Sequence, residues 1–315
     1  MNKVLFIESV HEILHQRLTE AGYHCDRQYE SSRAELLVKA SDYVGIVVRS
    51  RIKIDKEFID AARNLRFIAR SGSGLENIDV SYAESKGIAV YNSPEGNRDA
   101  VGEHAMGMLL MLLNNLRQAD TDVRAGRWPR EENRGYEIAE KTVGIIGYGI
   151  MGSSLAQKLS GFGARVIAHD KYKSGFSDML VQEVSLEELK ATADIVSLHL
   201  PLNEETHYYA DAAFFSSFAK PFYFINTARG KNTDTSALVE AIKSGKVRGA
   251  CLDVIEYEKA SLEGLEKDPS LTAMRELIGM SNVVLSPHIA GWTHESYEKL
   301  SSVLADKILG LEVEG

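Results

Sequence analysis

Along the chain a short apolar run is followed by a helix-length amphipathic stretch, and the pair repeats. VLFIES (4–9) leads into a helix predicted over 11–21, VGIVVRS (44–50) into one near 55–62, and LRFIARS (65–71) into one near 77–86. IAVYN (88–92) closes this first set. β-Branched runs alternating with helices predict a parallel sheet with helices on both faces. From about 98 to 117 the texture changes. AVGEHAMGMLLMLLNNLR is nearly apolar all round and free of proline, which predicts one helix buried on several sides. The rhythm then restarts with KTVGIIG (141–147), RVIAHD (165–170), ADIVSLHLP (193–201), FYFINT (222–227), RGACLDV (248–254) and NVVLSP (282–287). An amphipathic stretch, THESYEKLSSVLADKILG, follows the last strand. Two α/β units are the simplest account of the restart. No Ser/Gly-rich linker lies between them, and no internal repeat is visible.

A length of 315 residues agrees with two units, since a domain takes roughly 150 residues. An apolar share of 44%, 26% charged residues, 25 glycines and 6 prolines exclude disordered, collagen-like and low-complexity chains. Thirty-six basic against 45 acidic side chains leave a charge of −9, which argues against general binding of nucleic acid or anionic membranes. A local basic pocket for a small anion stays possible. The longest apolar run, Ala105 to Leu113, is nine residues, whereas spanning a bilayer takes about 20. The opening MNKVLFIES reads as a strand without a cleavable signal, and Cys25 and Cys251 form no disulfide framework or CxxC pair. The expectation is a cytoplasmic protein without a metal site.

Gly147-Tyr148-Gly149-Ile150-Met151-Gly152 is a GxGxxG run. Alone it is a weak signal, but a strand leads in, a helix leads out, and the next strand ends in Asp170, 18 residues past Gly152. Each part has a task in binding a dinucleotide. Gly147 permits the tight turn, Gly149 lets backbone approach a pyrophosphate, and Gly152 lets the helix pack against the strand. The helix amino terminus then faces the phosphates. Asp170 is placed to accept from the adenosine ribose hydroxyls and to repel a 2′-phosphate, which favours NAD over NADP. Lys171 and Lys173 stand close enough to soften that preference.

Three polar residues follow predicted strand ends: Arg229 after FYFINTA, Glu258 after CLDVIEY, and His288 after VVLSP. Open α/β sheets bind ligands at the carboxyl ends of their strands. An arginine fixes a carboxylate bidentately, an imidazole titrates near neutrality, and a carboxylate orients that imidazole. Together they suit carbonyl reduction, although each alone reads more readily as a surface charge or a structural side chain.

SGSGLENID (71–79), SPEGNRDAVGEHAMGMLL (93–110), GYGIMG, SLHLPLNEET (197–206), NTARG (226–230), ACLDV…E (250–258) and SPHIAG (286–291) occur in one order along the chain. In these runs the sequence resembles the D-isomer-specific 2-hydroxyacid dehydrogenases over nearly its full length. The resemblance implies a doubly wound α/β fold with two parallel-sheet domains. A Rossmann NAD-binding domain, 98–287, would be inserted in a discontinuous flavodoxin-like substrate domain, 1–97 and 288–315. The stretch at 98–117 matches the first crossing helix and the terminal helix matches the return. It also implies roles: Arg229 binds the substrate carboxylate and carbonyl, His288 is the acid–base, and Glu258 raises its basicity. Cofactor contacts carry over to Gly147, Gly149, Ile150, Met151, Gly152, Asp170, His199, Pro201, Thr206, Thr227, Ala228 and Asp253. Substrate contacts carry over to Ser71, Gly72, Ser73, Gly74 and Asn97.

Within the family the likeness is greatest to D-3-phosphoglycerate dehydrogenases, where cations at the positions of Arg49 and Arg70 meet the substrate phosphate. The plain alternative makes Arg49 and Arg51 loop charges. Other substrates of the same chemistry are glyoxylate, hydroxypyruvate and erythronate-4-phosphate, and HIAGWT is close to a run of the erythronate-4-phosphate enzymes. A non-enzymatic NAD-sensing protein, like the C-terminal binding protein corepressors, is the reading from a different class. Two departures stand out: Lys259 occupies the usual proline position after the glutamate, and Trp292 replaces a smaller residue, which is expected to reshape the substrate pocket. The family packs the apolar helix region across a two-fold axis, so a homodimer is expected. Because the sequence stops after the return helix, a regulatory ACT domain and serine feedback through it are expected to be absent.

Overall fold

A computed structural model describes residues 2–258 and 271–310. Lys259 lies outside the described residues. The chain divides into two compact units, Met1–Asp99 with Trp292–Gly315, and Ala100–Gly291. The first holds β1 (Lys3–Phe6), β2 (His24–Arg27), β3 (Gly45–Val48), β4 (Phe67–Arg70) and β5 (Ala89–Asn92), paired in the order β2-β1-β3-β4-β5. The second holds β6 (Thr142–Ile146), β7 (Arg165–His169), β8 (Gln182–Glu183), β9 (Ile195–Leu198), β10 (Phe222–Asn226), β11 (Val247–Leu252) and β12 (Val283–Leu285). Their order is β12-β11-β10-β9-β6-β7-β8. Every neighbouring pair is parallel. The first order is flavodoxin-like. The second, read from β8, is the dinucleotide-binding order with a seventh strand added at the β12 edge.

Parallel sheets bury both faces, so their central strands read as continuous apolar runs. Successive residues show this directly, because side chains alternate between faces. Ile146, Ile167, Val196, Phe224 and Leu252 pack on one face of the larger sheet with Phe214, Phe215, Phe218 and Leu238. Their chain neighbours Ile145, Val166, Ala168, Ile195, Ile225 and Cys251 pack on the other face with Leu109, Leu112, Leu155 and Leu159. In the smaller sheet Leu5, Ile46 and Ile68 face the helices Arg33–Lys39, Lys56–Ala61 and Val80–Ser85. Phe6, Val47 and Phe67 face the helices Glu12–Glu20 and His294–Leu309. The last helix starts on a reciprocal cap between Thr293 and Ser296 and stops at Gly310, which has φ 69°. Its Leu304 and Ala305 are fully buried, which ties this late segment into the amino-terminal unit.

The structure differs from the sequence reading in four places. Edge strands β2 and β8 and the helix Arg33–Lys39 were not expected. An edge strand pairs on one side only and commonly carries polar residues; HCDR and QE contain no apolar run to reveal them. The single helix expected over 98–117 is two, Arg98–Leu113 and Leu116–Arg124, broken where Asn115 takes φ 52°. Asparagine tolerates that left-handed backbone better than most residues. Finally, the compact units divide at Asp99/Ala100 and Gly291/Trp292, slightly beyond 97/98 and 287/288, which places His288 in the second unit.

Candidate active site

Strand order reverses between β6 and β9, and the loops leaving these two strands meet there. Gly147 has φ 92°, and a Cβ on it would lie 2.5 Å from the His199 carbonyl oxygen. A Cβ on Gly152 would lie 2.3 Å from the Gly147 carbonyl oxygen, so the helix Ile150–Leu159 can sit this close to the turn only with glycine there. Gly149, the residue capping that helix, differs: its Cβ would meet nothing within 4 Å. The turn therefore leaves space and helix-end N–H groups together, which is what a pyrophosphate needs. Ile150 and Met151 open the helix beside this space.

Asp170 follows β7 and binds the glycine loop. One carboxylate oxygen accepts from the Tyr148 N–H at 2.8 Å; the other accepts from the Tyr172 and Lys173 N–H groups at 2.9 and 3.0 Å. Burial raises its pKa, but the three amides and Lys173 outweigh burial and hold it below the usual carboxylate range. Three of about four lone-pair positions are thus used within the chain. The charge that would oppose a 2′-phosphate is permanent at neutral pH. Lys171 is ion-paired with Glu205, which Tyr172 Oη also meets. Lys173 Nζ donates to the Tyr148 carbonyl at 3.3 Å.

The other expected cofactor positions cluster on neighbouring strand ends of this unit. His199 hydrogen-bonds through Nε2 to Ser197 Oγ at 2.9 Å, and burial pulls its pKa down to about 4, so it is neutral at pH 7. Thr206 Oγ1 donates to the Pro201 carbonyl at 2.6 Å, and Asn232 Nδ2 clamps the same turn through Pro201 and Thr206 carbonyls. Thr227 Oγ1 is buried and has no partner among the described residues. A buried hydroxyl without a partner costs about 1–3 kcal/mol; a ligand group beside Ala228 and Thr227 would satisfy it. Asp253 stands apart from this set. It is 2% exposed, and its carboxylate accepts from Ser286 Oγ at 2.6 Å and from the Ile289 and Ala290 N–H groups at 2.9 Å each. His104 Nε2 reaches the same Ser286 Oγ at 2.8 Å.

That buried carboxylate shapes the loop bearing His288. The His288 N–H donates to the Asp253 carbonyl at 2.7 Å, and His288 itself takes φ 56°. Its Nδ1 lies 2.9 Å from Glu258 Oε2, which leaves Nε2 for a substrate. The Glu258 hydrogen bond raises the imidazole pKa; burial and the Arg229 charge work against it, while the Glu258 and Asp253 charges add to it. Arg229 leaves β10 on a turn built by Asn226. The Asn226 side chain is fully buried, accepts from the Ala228 N–H at 3.0 Å and donates to the Arg229 carbonyl at 3.0 Å. Gly230 next to it would drive a Cβ to within 2.0 Å of the Ile255 carbonyl oxygen, so the Arg229 turn and the loop before Glu258 are in direct contact.

In the amino-terminal unit, the expected substrate residues also lie at strand ends. Ser73 Oγ donates to Asn97 Oδ1 at 2.8 Å, and Asn92 Nδ2 donates to the Ser73 carbonyl at 2.6 Å. Gly72 has φ 147° and lies against the Arg70 guanidinium, with its N–H on Ser93 Oγ at 3.3 Å. Ser71 is buried, and Gly74 continues the loop toward Leu75. Arg70 Nε donates to the Arg49 carbonyl at 3.1 Å, which joins the ends of β3 and β4. Glu8, absent from the sequence reading, accepts from the Arg49 and Ser50 N–H groups at 2.6 and 2.8 Å. Its position just after β1, at the strand-order reversal, was the available signal. Arg51 is a structural charge, donating to the Ile7 and Ser31 carbonyls at 2.8 Å each.

The family model for the D-isomer specific 2-hydroxyacid dehydrogenase, NAD binding domain, matches residues 106–290. The chain is 34% identical to a D-3-phosphoglycerate dehydrogenase of Archaeoglobus fulgidus over 311 residues, covering 98% of this chain and 57% of that protein. The chain thus spans little more than half the length of that relative. It is 37% identical to a hydroxypyruvate reductase of Thermotoga maritima over 263 residues, covering 84% of this chain and 83% of that one. Among solved structures, the D-lactate dehydrogenase of Aquifex aeolicus complexed with NAD and lactic acid superposes with a TM-score of 0.81 at 27% identity, covering 98% and 95% of the two chains.

Proposed function

Because the chain belongs to the D-isomer specific 2-hydroxyacid dehydrogenase family, we propose that it interconverts a D-2-hydroxyacid and its 2-keto acid with NAD, and that its substrate pair is D-3-phosphoglycerate and 3-phosphohydroxypyruvate. The observation that carries the chemistry is the 2.9 Å pair of His288 Nδ1 and Glu258 at the carboxyl edge of a dinucleotide-binding sheet. NAD, when bound, supplies or accepts the hydride. The Gly147–Gly152 turn, Asp170 and the unpartnered Thr227 hydroxyl are the residues that would hold it. Everything else falls to the chain's own groups. His288, with Glu258 on Nδ1, delivers a proton from Nε2 to the substrate oxygen in reduction and removes it in oxidation. Arg229 binds the carboxylate and opposes charge growing on the carbonyl oxygen. Asp253 acts here as the anchor of the His288 loop.

The phosphate assignment rests on Arg49. Its guanidinium has no hydrogen-bond acceptor among the described residues, and Arg70 lies beside it. A second reading, hydroxypyruvate reduction, is supported by the 37% identity over 263 residues to the hydroxypyruvate reductase of Thermotoga maritima. NADH oxidation measured with 3-phosphohydroxypyruvate, hydroxypyruvate and glyoxylate decides between them. Preference for the phosphorylated acid upholds the first reading, preference for hydroxypyruvate the second, and NADH binding without turnover rejects both. We further take the protein to be a homodimer, since Met111, Leu116, Val123, Trp128 and Tyr136 expose apolar surface along one segment. Two free cysteines, Cys25 and Cys251, suit the reducing cytoplasm.

A further inference from the structure

The Arg49 guanidinium carbon lies 4.3 Å from the centre of the Trp292 ring. The two residues are far apart in sequence and meet because the last helix packs on the amino-terminal sheet. The indole is held firmly. Trp292 directly precedes Thr293, the capping residue of the helix His294–Leu309, and Tyr297 lies one turn inside it. Trp292 and Tyr297 rings pack edge to face at 5.7 Å, the apolar pair that commonly fixes how a chain enters a helix. His11 braces Tyr297 from the other side at 5.6 Å, again edge to face, and its N–H donates to Ser301 Oγ on the same helix.

Arg49 is equally constrained at its backbone, by Glu8 on its N–H and by Arg70 on its carbonyl. Its side chain is not. Among the described residues the guanidinium donates to no carboxylate and makes no hydrogen bond; its neighbour is the indole face. Stacking uses the flat face of a guanidinium and leaves its five N–H donors at the edge. A carboxylate partner would occupy those donors and cancel the charge. Trp292 does neither, and it is half exposed, so the donors stay open to solvent beside the indole.

We propose that Trp292 is a positioning residue for substrate specificity: it holds Arg49 flat with its donor edge unfilled, so that Arg49 takes a second anionic group on the substrate, a phosphate ester. This rests on the proposed reduction of a phosphorylated 2-keto acid and adds to it the residue that tunes the preference. It predicts that the stacking face matters, beyond the bulk it provides.

Steady-state kinetics with NADH, on wild type, Trp292→Leu and Trp292→Phe, test this. Leucine keeps bulk without a π face; phenylalanine keeps the face. Trp292→Leu is expected to raise KM for 3-phosphohydroxypyruvate about three- to thirtyfold, the equivalent of ~0.65–2 kcal/mol, within the range of a cation–π contact. kcat is expected to hold, hydroxypyruvate KM to move less than about twofold, and Trp292→Phe to recover most of the loss. Equal losses for both substrates, or equal behaviour of the Leu and Phe variants, overturn the proposal. A separate measurement keeps the substrate assignment apart from it. In a Trp128→Phe background, where Trp292 is the one remaining tryptophan, its fluorescence is titrated with inorganic phosphate. A saturable change that Arg49→Ala abolishes upholds the anion site even if the wild type prefers an unphosphorylated acid. No Arg49-dependent change overturns it whatever the substrate.

Discussion

Replacing Glu258 by Gln removes a charge while keeping an oxygen that can accept from His288 Nδ1. In the proposed reduction the donor is the imidazolium, and Glu258 is the largest contributor to the raised His288 pKa. Raising the pKa extends the protonated form to higher pH, so the benefit is absent at low pH, where any imidazole is protonated, and appears above the ordinary imidazole range. A charge-assisted hydrogen bond contributes about 1.5–3 kcal/mol when shielded and an exposed ion pair about 0–1. The side chains of His288 and Glu258 are 50% and 35% exposed, which places this pair near ~1 kcal/mol, a factor of about five. The variant should therefore match wild type in kcat/KM for reduction at acidic pH and fall about fivefold below it at alkaline pH. Oxidation needs the neutral imidazole, so there the variant should gain on wild type as pH falls. The assay is NADH consumption or formation across that range under first-order substrate conditions, which reports ionisations of the free enzyme. A profile superimposed on wild type, or one lowered equally at every pH, refutes the coupling.

His288→Ala should lower turnover about 10²–10⁴-fold with NADH affinity, followed by fluorescence titration, unchanged; full activity would mean another histidine serves. Asp170→Ala loses three amide contacts as well as its charge, so NADH should bind more weakly and the ratio of NADPH to NADH dissociation constants should fall toward one. Phe224→Ala, at a fully buried position of β10, should cost about 3–5 kcal/mol of stability in urea unfolding. Light scattering at micromolar concentration should give twice the 34.8 kDa of one chain, and a mass of one chain would refute the dimer.

The parts of the fold visible in the sequence are those whose burial leaves a compositional trace. Eight strands paired on both sides, and the two apolar edge strands β5 and β12, read as apolar, mostly β-branched runs; the polar edge strands HCDR and QE did not. Gly147, Gly152 and Asp170 were readable because backbone geometry restricts those positions to particular residue types. Arg229, Glu258 and His288 were readable as polar residues at strand ends, but the 2.9 Å pairing and the turn built by Asn226 were not. Contacts such as His104 with Ser286, 182 residues apart, or Arg49 with Trp292, arise from how helices settle on sheets. No local pattern records them.

The φ of 56° at His288 sets activity against durability. A side chain in that region costs about 1–2 kcal/mol relative to glycine, and three hydrogen bonds to Asp253 hold the backbone there regardless. Glycine at 288 would relieve the strain and harden the fold while removing the group proposed as the acid–base. If His288 has that role, selection of variants for heat resistance alone would enrich inactive ones at this position. Gains in melting temperature found by screening need an activity measurement beside them, and stabilising changes are better sought where the backbone is relaxed.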